Sequence, residues 1–202
     1  MKTLALELST TRGSLAWLDG EIEFTREWPN DRKNSAAFFE NLQAVQDKFG
    51  AAEAIVVGLG PGSYAGTRIA ISAAIGIQLS GNSRLIGYPS IGAMEYDAQE
   101  YCVIGDARRK SFFVARVFKN EVIEGPTLLS ESELKAKLES LDSKIPVISS
   151  ELLPQFHRAL ICFPSALILA RLAKEPQRSF CLPPLEPFYL REPHVTMPKQ
   201  GT

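Results

Sequence analysis

Apolar and polar positions form three short strand-like runs at the start of the chain. Thr3–Leu8 is apolar-rich and alternates into Glu7, Ser14–Leu18 follows a Ser-Thr-Thr-Arg-Gly turn, and Glu21–Trp28 alternates beyond Asp19-Gly20. That dipeptide favours a tight hairpin, so three strands are predicted. The period then lengthens. Phe38, Leu42, Val45 and Phe49 recur at helical steps, one face of a helix from Ser35 to about Phe49, with Gly50 where a C-terminal cap belongs. Ala54–Leu59 is a continuous apolar run with paired valines, the pattern of a strand buried on both faces. The stretch Gly58-Leu-Gly60-Pro61-Gly62-Ser63-Tyr64-Ala65-Gly66 leads into a second helix from about Thr67 to Ser80, and Arg84–Gly87 reads as a further short strand.

The order returns in the second half. Tyr101–Gly105 and Ser111–Lys119 read as strands around an Asp106-Ala-Arg108 turn, followed by a short strand at Glu121–Ile123. Ser130-x-x-Glu133 is a capping box opening a helix to about Leu141. Pro146–Ser149 reads as a strand, and Pro164-Ser165 starts a last helix, with proline where its missing N–H does no harm. The order β-β-β-α-β-α therefore occurs twice, with no sequence repeat at a fixed period. It predicts an α/β protein of two RNase-H-like lobes, mixed sheets with flanking helices, divided at 1–99 and 100–202. Pro183, Pro184, Pro187, Pro193 and Pro198 crowd the end of the second lobe, which is expected to be extended and irregular with a mobile terminus.

Composition narrows the function. The 202 residues carry 22 basic and 23 acidic side chains, a formal charge of −1, which argues against a stand-alone nucleic-acid binder and gives no electrostatic pull toward an anionic membrane. Cys102, Cys162 and Cys181 show no Cys-x-x-Cys spacing and are expected to be reduced, buried thiols. The N-terminus lacks a signal-peptide pattern, and the longest apolar stretch, Ala159 to Ala170, is broken by Pro164. A soluble, cytoplasmic protein is expected.

The glycine stretch lies between a strand and a helix, where backbone N–H groups could face an anion. Gly66 is followed by Thr67-Arg68 and not by the Lys-Ser/Thr of a Walker A loop. The spacing Gly60-x-Gly62-x-x-x-Gly66 also departs from the dinucleotide fingerprint, and Arg84 to Ser90 holds no acid. A tight turn with close strand–helix packing is the favoured reading, ahead of a phosphate cradle. On the following helix Ile69, Ala70, Ala73, Ala74, Gly76 and Ile77 fill one small apolar arc, expected to lie on a sheet. Arg68, Ile71, Ser72, Ile75, Gln78 and Leu79 fill the other. Three large aliphatics on an outward arc imply a cover, from the second lobe or from another protein.

A catalytic set is hard to assemble. His157 and His194 are the only histidines, and neither a His-x-x-x-His pair nor a Gly-x-Ser-x-Gly elbow occurs. Asp19 and Asp106 belong to turns and Glu53 to a strand end. Glu7, ahead of Ser9-Thr10-Thr11, stands where two-lobed ATPases place an aspartate for a metal–phosphate. Its extra methylene moves the carboxylate by about 1.5 Å, and such sites tolerate little misplacement.

Leu4-Ala-Leu-Glu-Leu-Ser-Thr-Thr, Gly58-Leu-Gly-Pro-Gly-Ser-Tyr-Ala-Gly-Thr-Arg-Ile, Ile104-Gly-Asp-Ala-Arg108 and Pro187-Phe-Tyr-Leu-Arg191 occur in that order. Together they resemble the TsaB family of bacterial accessory proteins in tRNA threonylcarbamoyladenosine synthesis, nearly from end to end. The segment holding Gly60, Pro61, Gly62, Ser63 and Gly66 is the most specific part. The resemblance implies a fold of the actin/Hsp70/sugar-kinase class and a non-catalytic relative of the transferase TsaD, whose metal-binding His pair has no counterpart here. It further implies a heterodimer with TsaD through Ser35–Phe49 and Thr67–Ser80, with Phe38, Leu42, Arg68, Ile71, Ser72, Ile75, Gln78 and Leu79 at the interface. A homodimer through the same helices, TsaE in a ternary complex, and tRNA reached only through the complex complete the expected partners. No cofactor or metal is expected. The chain departs from the family at Glu7 (commonly Asp), Asn34-Ser35 (commonly a His) and Tyr64-Ala65 (commonly Phe-Thr), and its second lobe matches only loosely. The competing class is an enzyme, a small ATPase or a metalloprotease-like protein.

Overall fold

The computed structural model describes residues 1–30 and 35–191. The departure at Asn34, His194 and the end of the proline-rich tail lie outside the described residues. Two five-stranded sheets form the two lobes. In the first, β1 (Thr3–Glu7), β2 (Arg12–Asp19) and β3 (Ile22–Pro29) make an antiparallel meander, and β4 (Ala54–Gly58) and β5 (Arg84–Tyr88) add in parallel to the other side of β1, giving the order β3-β2-β1-β4-β5. In the second, β6 (Glu100–Asp106), β7 (Ser111–Phe118) and β8 (Glu121–Ser130) repeat the meander, and β9 (Val147–Ser149) and β10 (Ala159–Ile161) add in parallel. The order β8-β7-β6-β9-β10 is the same topology.

In the first lobe, α1 (Ala36–Phe49) and α2 (Tyr64–Ser80) cover one face. Phe38, Leu42 and Val45 of α1 and Ala70, Ile71 and Ala74 of α2 meet Leu4, Leu6, Leu15, Ile55 and Val57 in one core. Gly50 closes α1 with φ 75°, a conformation glycine adopts without a steric cost. In the second lobe, the box at Ser130 and Glu133 forms as the spacing predicts and opens α3 (Glu131–Ser140), which seats Leu134 and Leu138 on the sheet.

The second lobe departs from the predicted repeat. β10 intervenes before the last helix, α4 (Ala166–Leu172), and no helix joins β9 to β10. Leu153 and Phe156 of the connecting loop pack beside α3 instead. β8 extends through Gly125-Pro126 to Ser130, well past the Glu121–Ile123 expected from the sequence. Proline is tolerated there because β8 is an edge strand. Although α4 follows residue 99, it lies on the other face of the first sheet, against Ala5, Ala16, Val56 and Ile86. Its first N–H is capped by Ser14 Oγ of β2 at 3.0 Å. The tail returns as well: Cys181 pairs with Gly87, and Leu185 enters the first core.

Candidate functional site

β1 and β4 are the parallel neighbours at which the first sheet changes direction, and loops leaving such strand ends form a crevice. Here the crevice is an interlobe cleft of about 490 Å³. Its walls are Ser9–Thr11 after β1, the glycine loop after β4, the Asp106–Arg108 turn of the second lobe and the tail from Pro187 to Arg191. The glycine loop packs into the fold. The Ser63 N–H donates to Ser9 O (2.5 Å) and the Gly60 N–H to Ser90 Oγ (2.9 Å). Ser63 caps α2, its hydroxyl accepting from the Gly66 N–H at 3.3 Å. A Cβ on Gly62 or Gly66 would strike the carbonyl oxygens of Ser9 and Leu8, so both glycines permit backbone to approach backbone.

Glu7 points away from the cleft. It is fully buried, and its Oε1 accepts the Ser9 N–H at 2.7 Å. Its carboxyl occupies the space where Gly58 lacks a side chain, beside Ser90. Burial pushes its pKa up from the ordinary 4.5, against the opposing effect of the Ser9 N–H hydrogen bond; its Oε2 has no hydrogen-bond partner among the described residues. Asp106 orders its own turn, accepting the Arg108 N–H at 2.6 Å, and Glu53 accepts the Lys2 N–H at 3.0 Å. His157 is exposed. No group of three or more His, Cys, Asp or Glu side chains converges among the described residues. Cys102 and Cys162 are buried, their thiols pushed up to about 11 by desolvation, but Cys181 is exposed, contrary to the expectation of three buried thiols.

The expected partner face needs a larger correction. Phe38, Leu42 and Ile71 are buried in the first core, Ile71 at 6% exposure, and are not surface residues. The glycine loop sets the rotation of α2: with Gly66 held against Leu8, the residues that follow onto the sheet are Thr67, Ala70, Ile71 and Ala74. This turns the helix by close to a quarter-turn from the arc inferred from small residues, and Gly76, placed inward by that arc, is exposed. Arg68, Ser72, Ile75 and Leu79 do face outward, with Gln78 half-buried. Leu79 is 82% exposed and Ile75 39%. The sequence reading missed Phe39, 49% exposed on α1, which lines a shallow depression with Arg68, Ile69, Ser72 and Ala73. Its signal was the Phe38-Phe39 pair, of which a helix can bury only one on a narrow face.

The tail straps the cleft. The Phe188 N–H donates to Leu59 O (2.8 Å), the Tyr189 ring meets Tyr64 (5.4 Å between centroids), and Arg191 donates to Ser111 Oγ (2.6 Å). Two lobes of identical strand order around such a cleft define a two-lobed α/β protein of the actin/Hsp70/sugar-kinase architecture. Solved structures share it. An uncharacterised Pseudomonas aeruginosa protein with similarity to the peptidase YeaZ superposes with a TM-score of 0.72 at 20% identity, over 94% of this chain and 99% of that one. YeaZ from Pseudomonas aeruginosa gives 0.66 at 18%, over 86% and 91%. These likenesses are of fold. The chain belongs to the TsaD family, tRNA N6-adenosine threonylcarbamoyltransferase, which it matches over residues 35–183. No curated protein matches it in sequence. No helix among the described residues is long and apolar enough to cross a membrane.

Proposed function

We propose that the chain is a TsaB-type accessory subunit that binds TsaD through the outer face of α1 and α2 and supports threonylcarbamoyl transfer to tRNA without carrying out the chemistry itself. The observation that carries this reading is the outward apolar set Phe39, Ile75 and Leu79 on adjacent helices of the first lobe. Covering what these side chains still expose is worth on the order of 4–6 kcal/mol before association costs. The inward turn of Glu7 and the engagement of the glycine loop by Ser9 and Ser90 support an accessory role over a small ATPase. The same face is available for self-association in the absence of TsaD, and TsaE joins the pair.

The test is to mix the purified chain with TsaD of the same source and weigh the eluting species by light scattering. A one-to-one complex, weakened by Leu79→Asp, is expected. Failure to associate, together with ATP turnover by the chain alone, would replace this reading with the enzyme one.

A further inference from the structure

A line of cations and aromatic rings crosses the mouth of the cleft from one lobe to the other. Arg68 of α2 lies over the Tyr64 ring, 4.4 Å from its centroid, and Tyr64 meets Tyr189 of the tail. Both tyrosines are exposed, at 45% and 40%. Two residues on, Arg191 is anchored on Ser111, at the foot of the turn that carries Arg108, Arg109 and Lys110. These three have φ values of 66°, 54° and 59°. Side chains other than glycine rarely adopt that conformation, and here three do so in succession, every one a cation. Strained backbone of this kind gathers at functional sites. Arg108 is paired with Asp106, whereas Arg109 and Lys110 have no hydrogen bond or ion pair among the described residues. Asp106 and Glu151 also line the cleft; against them Arg68, Arg108, Arg109, Lys110 and Arg191 leave a local excess of positive charge in a chain that is at −1 overall.

Exposed rings between cations are the means by which proteins hold single-stranded nucleic acid: the cations meet phosphates and the rings stack on bases. An acidic peptide would engage the charges and leave the rings idle. We propose that this line is a binding surface for a single-stranded stretch of RNA. The inference goes beyond the accessory reading, because it has the chain touch RNA itself where the sequence pointed to contact only through a complex.

The test is fluorescence anisotropy of the full chain with a labelled anticodon stem-loop RNA across a salt series. Saturable binding is expected. Arg109→Gln with Lys110→Gln should weaken it and lower the slope of log affinity against log salt by about 1.4, two phosphate contacts on a single strand. Tyr189→Ala should weaken it roughly tenfold with the slope unchanged, and Tyr189→Phe should retain it. Leu79→Asp, which impairs docking on TsaD, should leave RNA binding intact, so the two readings fail separately. Absence of saturable binding, variants that bind as the parent does, or equal competition by poly-glutamate would each overturn the proposal.

Discussion

Gly66 and Gly76 lie in the same helix, and replacing each with alanine should change stability in opposite directions. In both places alanine gains helix propensity, about 0.8–1.0 kcal/mol over glycine in a helix interior. At Gly76 a Cβ meets nothing within 4 Å, so the gain stands and the variant should be stabilised by about 0.4–1 kcal/mol. At Gly66 the new Cβ would run into the Leu8 carbonyl oxygen and lie 3.3 Å from Ser63 Oγ. The obstacle is the backbone just after β1, which cannot rotate away as a side chain would. Overpacking of this kind costs about 1–3 kcal/mol. Loosening the Ser63 cap, whose hydroxyl holds the Gly66 N–H, adds about 1 kcal/mol. After the propensity gain, Gly66→Ala should be destabilised by about 1–3 kcal/mol. For a chain of this size that lowers Tm by roughly 3–10 °C, whereas Gly76→Ala raises it by a few degrees. Thermal melts of both variants beside the parent read the difference. Shifts of the same sign would refute the view that the glycine loop holds α2 against the end of β1.

Two further outcomes follow from the buried groups. The Glu7 pKa is raised by burial, so the folded chain holds that proton more tightly than the unfolded one; stability is full below pH 4.5 and declines as pH rises through the raised value. Glu7→Gln keeps the shape without the ionisation, so its Tm advantage over the parent should grow as pH is raised above 4.5, and a constant difference would count against it. A polar thiol reagent at mildly alkaline pH should modify Cys181 alone in the native chain and all three cysteines after denaturation; native labelling of Cys102 would show that the second core is open.

Much of the fold is legible because strand and helix periods differ. The alternation of Glu21–Trp28, the Phe38, Leu42, Val45 stripe and the Ser130-x-x-Glu133 box each decide an element from within a few residues. β8 is not legible past Ile123, because Gly125-Pro126 excludes a central strand and only the sheet order reveals an edge. The capture of α4 by the first sheet rests on Ala5, Ala16, Val56 and Ile86 and on the Ser14 cap, all far away in sequence. The rotation of α2 is hidden for a similar reason. Its residues are apolar nearly all round, so the wheel offers no polar side to orient it, and the contacts of Gly62 and Gly66 with the β1 turn decide the matter. That is why Ile71 reads as a surface residue and proves to be core, while Leu79 remains outside. The cleft rim joins Tyr64, Tyr189 and Arg108 from three distant segments, and only the fold brings them together.

Docking through the outer face of α2 is tested most directly by the affinity of TsaD for the parent chain, for Leu79→Asp, and for Leu152→Asp as a control. Leu152 is 78% exposed on the second lobe, so both substitutions exchange a surface leucine for a charge without touching either core. Burying an unpaired carboxylate in an interface costs several kcal/mol, so Leu79→Asp should weaken binding on the order of a hundredfold or more. Leu152→Asp should bind as the parent does. Unchanged affinity for Leu79→Asp, or a loss confined to Leu152→Asp, would contradict docking through this face.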